Sequence, residues 1–145
     1  MKYLALLTVL ALAGCGLAEQ IERPSTDDTE AAPDGALPPP ETARTIEDFD
    51  TTTPESRAAA ADAAGGRLLG QDVASLGDPS VPGFWVETPL VSEATPGRAQ
   101  LSGTGNSVEV ELRPSTGGSA RISLAALRVL GAPLTDLATI DVFAR

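Results

Sequence analysis

The 145-residue sequence predicts a mainly β fold, a small barrel-like domain with one short helix, preceded by a signal peptide and a disordered acidic linker. Three observations lead there. An apolar run follows Met1 and Lys2, residues 19–62 are rich in acid and proline, and beyond them "SVEVELR" alternates apolar and charged side chains. The divisions expected from these are 1–14 as signal peptide, 15–66 as linker with a short helix at 54–64, and 67–145 as the folded domain.

The N-terminal run is apolar from Tyr3 to Ala13 and ends in Gly14 and Cys15, a basic start, a short apolar stretch and small residues. A membrane-spanning helix needs about 20 apolar residues. Eleven are too few, so the segment targets the chain without spanning.

Leu12-Ala13-Gly14-Cys15 places the only cysteine of the chain directly after a small residue. Here the sequence resembles bacterial lipoproteins as a class. The resemblance implies that Cys15 becomes the first mature residue and carries a diacylglycerol on sulfur and a third, palmitate-type chain on its amine. Two or three such chains anchor a protein stably, because each buried methylene contributes about 0.8 kcal/mol. The competing reading makes Cys15 a small buried hydrophobe in a short helix. Under either reading the domain folds without a disulfide. Gly16 follows Cys15 where retention in the inner membrane calls for aspartate, so the class resemblance implies the outer membrane, facing the periplasm.

Residues 19–62 hold twelve acidic residues against Arg23, Arg44 and Arg57, with the triplet Pro38-Pro39-Pro40. So little apolar surface does not offset the entropy of ordering, and the stretch is expected to be a disordered tether. One part is helix-prone: Thr53 as cap, Pro54 at the first position, then "ESRAAAADAA", with Gly65-Gly66 as the stop. So short a helix is marginal in water unless it packs on the domain. Most of the net charge of −10 lies in this tether, since residues 63–145 hold eight acids and six arginines. The acidic run serves solubility, or it repels anionic lipid or docks a basic partner. Nucleic acid is excluded as a partner, because Lys2 is the sole lysine and no basic cluster exists.

Within 67–145, Val108, Val110 and Leu112 alternate with Glu109, Glu111 and Arg113, which predicts a half-buried strand. "SGTGNS" before it supplies the turn of a hairpin with "GRAQL". Ser123 is the expected cap of a helix from Leu124 to Leu130, with Ile122 and Leu127 as a staple and Gly131 and Pro133 closing it. "ATIDVFAR" alternates again as an edge or closing strand. "PGFWVETPLV" reads as a strand at an edge or with a bulge, because Pro89 lacks a donor.

Trp85 and Arg121 are the candidate binding residues. Trp85 shares a strand face with Glu87, opposite Phe84 and Val86. It either faces outward, where its indole can stack on a sugar or a partner, or lies under a second layer that covers both faces.

The order "GNSVEVELRPSTGGSARISLAALRVLGAP…IDVF" resembles the second half of the double-psi β-barrel of rare lipoprotein A. That resemblance covers about forty residues. It departs from the family where Pro114-Ser115-Thr116-Gly117-Gly118 replaces an Asp-Arg-Gly loop and Ser123 replaces an aspartate. The whole chain also resembles small alphaproteobacterial lipoproteins sharing "ASLGDP…PGFW…TPLV" and "RISLAALR.LGAPLT", some of which bear the name D-galactarate dehydratase. These resemblances imply two alternatives, a glycan-acting enzyme or a lyase of that type.

The chain has no histidine, and its one thiol is assigned to lipid, so imidazole and thiolate metal ligands are missing and no cofactor is expected. The favoured expectation is therefore a non-catalytic domain, anchored at the membrane by lipid, that binds a periplasmic protein or peptidoglycan.

Overall fold

A computed structural model describes residues 35–145 of the chain, and the signal-peptide and Cys15 expectations lie outside them. Six strands form a closed barrel: β1 (Arg67–Leu76), β2 (Trp85–Thr88), β3 (Thr95–Leu101), β4 (Ser107–Pro114), β5 (Ala120–Ile122) and β6 (Ala138–Ala144). Around it lie α1 (Ile46–Phe49), α2 (Pro54–Ala61) and α3 (Leu124–Leu130). The strand order is β1-β5-β2-β4-β3-β6, with β6 returning to β1. Pairs β1·β5 and β2·β4 are parallel and the other four antiparallel. Closure gives every strand a partner on both sides, with the short β5 and β2 pairing only Ala74–Leu76 of β1 and Glu111–Pro114 of β4.

The β3–β4 hairpin forms where the glycines call for it. Gly103 and Gly105 take φ of 96° and 80°, and the register runs from Thr95 opposite Leu112 to Gln100 opposite Ser107. Along β4, Val108, Val110 and Leu112 point into the core, while Glu109, Glu111 and Arg113 line the outside. Ile140 and Val142 of β6 join that core, and β6 closes the barrel between β1 and β3.

The helix α3 plugs the structure with Leu124, Leu127 and Leu130. Its cap is the expected Ser123, whose Oγ accepts from the Ala126 N–H at 3.2 Å, and Gly131 ends it at φ 69°. Ile122 and Leu127 are both fully buried in the core cluster.

Two expectations need correction. The strand around Trp85 stops at Thr88, before Pro89, and it is flanked on both sides by β4 and β5 rather than lying at an edge. The linker expected up to residue 66 also gives way to ordered structure from residue 35 onward. Ala36, Ala43 and Ala60 are buried, and α2 packs on β4 and α3. The helix has the predicted cap, Thr53, and first residue, Pro54, but ends at Ala61. Its alanine face is thin enough to lie close to the barrel, and this docking supplies the burial that the segment's own composition lacks.

Candidate functional site

Trp85 is the first residue of β2, and its indole turns outward from the barrel but does not reach solvent, being 2% exposed. The 77–83 loop covers it. The indole Nε1 donates to the Val81 carbonyl at 3.2 Å, and a Cβ added at Gly77 would fall 2.3 Å from the ring. Glycine at 77 is what lets the loop backbone approach the indole face. The outward, stacking expectation for Trp85 is thereby corrected: the second layer that sequence left open exists, built from this loop.

Arg121 on β5 is exposed, at 58% of its side chain, and pairs with Glu87 of β2 at 2.5 Å. In the strand register Glu87 sits between Arg121 and Arg113. The Arg113 guanidinium lies 5.4 Å from the Trp85 ring centroid and 2.5 Å from Glu111. The outer face of β5, β2 and β4 is therefore a ladder of alternating charges over a sealed tryptophan. Of the two candidates, only Arg121 is open to a partner.

The concave site lies elsewhere. A groove of about 540 Å³ lies where α2 meets β3 and β4. Ala59 and Ala60 of α2, Thr95 and Pro96 of β3, and the core residues Phe84 and Val110 line it. Glu109 and Glu111 of β4 also contribute to the lining. Glu109 is paired with Arg145, and Glu111 with Arg113.

The groove exists because α2 presents methyl groups to a barrel surface. Small side chains fill less of the gap between helix and strands than leucines would. Sequence reasoning missed it. The alternation that marks Glu109 and Glu111 as outward was visible, but the wall opposite them belongs to a segment whose composition read as a tether.

No protein-family model, curated protein or solved structure matches the chain.

Polar groups near the barrel are otherwise engaged within the chain. Asp72 accepts from the Thr88 hydroxyl at 3.0 Å, and Asp141 accepts from Gln71 and Ser102 on the outer face. Among the described residues no cluster of three or more His, Cys, Asp or Glu side chains is placed to hold a metal ion. No helix among them is long and apolar enough to cross a membrane.

Chemically, the arrangement offers a mainly apolar hollow whose two carboxylates are paired with arginines of the same chain.

Proposed function

We propose that the chain is a lipid-anchored cell-envelope lipoprotein whose C-terminal barrel is a non-catalytic binding module for a periplasmic protein or peptidoglycan. The observation that carries this is Leu12-Ala13-Gly14-Cys15 at the end of an eleven-residue apolar run. Acylation at Cys15 gives the anchor, and Gly16 in place of aspartate favours the outer membrane, facing the periplasm. Support for a binding role comes from the groove beside α2 and from the exposed Arg121, on a barrel whose interior is filled by side chains.

Residues 16–34 lie between Cys15 and the first described residue. An extended chain spans at most ~3.3–3.6 Å per residue, so residue 35 lies within roughly 70 Å of the lipid surface. That distance is the zone in which its partner is sought.

The test is metabolic labelling with a palmitate analogue in a double-membraned bacterium producing the full chain. Label on the wild type and none on Cys15→Ser is the expected result. An unlabelled wild type with Met1 intact overturns the anchor. Incubation with purified peptidoglycan, comparing wild type with Arg121→Ala, then reads binding, and release of soluble muropeptides would overturn the non-catalytic reading.

A further inference from the structure

Strands β2 and β4 are unequal in length, and the difference leaves part of β4 with a strand on one side only. β4 runs from Ser107 to Pro114, whereas β2 pairs with it from Glu111 to Pro114. Continued in the same register, the chain before β2 would set Gly83 opposite Glu109. Gly83 instead takes φ of 86°, which turns the chain away.

The bonds at either end fix the direction of each main-chain group along β4. The Leu101 N–H donates to the Asn106 carbonyl across the β3–β4 hairpin at 2.8 Å, and the Glu111 N–H donates to the Phe84 carbonyl on the β2 side at 3.0 Å. In a strand these directions alternate from residue to residue. Val108 and Val110 therefore turn their N–H and C=O to β3, and Glu109 turns its own the other way, where no strand lies among the described residues. At Ser107 the gap is closed, because its hydroxyl donates to the Ala63 carbonyl at 3.0 Å.

The groove beside α2 takes in this position. Glu109, Val110 and Phe84 line it together with Ala59 and Ala60 of the helix. A space of about 540 Å³ with α2 as its far wall takes a short single chain and not the edge of a second barrel. Charge does not select the occupant, since the carboxylates of Glu109 and Glu111 are already paired with Arg145 and Arg113. A glycan is a poorer match, because the one tryptophan of the chain is sealed under the 77–83 loop and offers no open ring for stacking.

Building on the binding-module reading, we infer that the groove takes a short extended segment of a partner protein, added to β4 at Glu109. One residue of the segment exchanges both main-chain hydrogen bonds with Glu109, donating its N–H to the carbonyl and accepting from the amide. Side chains alternate across a strand, so the two residues flanking that one turn to the side of Val110 and Phe84, where small apolar groups fit. The middle residue turns to the side of the Glu109 carboxylate and is free to vary. The recognised pattern is apolar, any, apolar, and the interaction is insensitive to salt.

The experiment uses the full-length, isotopically labelled protein in detergent micelles. The probe is a fluorescent Ala-Val-Ser-Val-Ala peptide, read by anisotropy against empty micelles. Its comparators are the same peptide N-methylated at serine, which lacks the donor to Glu109, and Ala-Asp-Ser-Asp-Ala. The first peptide is expected to bind equally at low and raised salt, and both comparators to bind about tenfold more weakly or worse. Amide exchange at Glu109 is expected to be fast in the free protein and to slow when the peptide binds.

Glu109→Pro deletes that donor without touching the β3 ladder, so the domain is expected to fold and to lose the peptide. Should this variant not fold, the N-methylated peptide decides, together with Ala59→Phe, which narrows the groove from an exposed helix position and is expected to abolish binding. Equal binding of the N-methylated peptide, or a Glu109 amide left unprotected at saturation, overturns the inference. Retention on purified peptidoglycan without binding of any peptide overturns it but keeps the binding module. No peptide binding, no retention and no envelope protein recovered by cross-linking overturn both.

Discussion

The Oδ2 of Asp50 lies 3.0 Å from Nη1 of Arg128, joining the segment before the barrel to the last turn of α3. The same oxygen accepts from Arg57 of α2 at 3.0 Å, and Oδ1 accepts from the backbone and hydroxyl of Thr52. The Asp50 side chain is 1% exposed, and every acceptor it presents is used. The stretch from Asp50 to Arg57 and the distant helix α3 thus meet at one carboxylate.

Asp50→Ala removes that junction. The two arginines are each about one-third exposed and regain water, so the loss is expected to be near that of charge-assisted hydrogen bonds, about 2 kcal/mol. Hydrogen exchange should show α2 amides losing protection while β3, β4 and β6 keep theirs. Uniform loss across the barrel would show instead that residues 35–66 fold as one unit with it. Arg128→Ala should cost less, because Asp50 retains Arg57 and Thr52.

Trp85 is the sole tryptophan and serves as its own reporter. Its emission should be blue-shifted and resist acrylamide quenching, as for an indole sealed from water. Gly77→Ala puts a Cβ 2.3 Å from the ring and must lift the loop, so emission should move to the red. Trp85→Ala should destabilise the domain by about 3–5 kcal/mol, read by urea unfolding followed by circular dichroism. A red-shifted, freely quenched wild type would contradict the covered position.

Ser123 holds two buried donors at once. Its Oγ accepts from the N–H of Ala126, the helix cap, and from the N–H of Trp85 across on β2, both at 3.2 Å. Ser123→Ala removes the cap and leaves the Trp85 amide without that acceptor in a fully buried place. The expected loss is about 2–3 kcal/mol, more than a cap alone costs. A denaturant midpoint within error of the wild type would sink this account.

Asp48 closes the capping box of α1, accepting from the backbone of Arg44 and Thr45. Those backbone donors, Arg44 first, and the Thr45 side chain hold its carboxyl below the ordinary aspartate range. A group depressed on folding contributes stability above the unfolded value of about 3.9, and that contribution fades as pH falls through the lower folded value. Carboxyl NMR titration should therefore place the Asp48 midpoint below that of a free aspartate, with α1 loosening on the acid side only. A midpoint at or above the free value would contradict the box.

Strands with regular alternation were readable because their partners do not matter to the pattern. Val108 to Arg113 look half-buried on any sheet, and Ser123 and Gly131 bracket α3 through local backbone chemistry. The strand β1 was not readable. Its inward positions include Gly70, Asp72 and Ala74, while Val73 and Leu68 are exposed, so the usual apolar signal is inverted. Small inward residues make sense only once Leu90 is seen against Gly70 and the Thr88 hydroxyl against Asp72. The groove was hidden for a related reason, because one of its walls comes from a segment that composition assigns to solvent.

By itself the sequence determined the acidic balance, the alternating strands, the capped helix and a cysteine placed after a short apolar run, all of which depend on neighbouring residues along the chain. The tertiary structure alone decided that the barrel closes, that Trp85 lies under a loop, that residues 35–66 dock through Asp50, and that a groove opens beside α2. Those outcomes turn on contacts between residues far apart in the chain, whose energies no local pattern encodes.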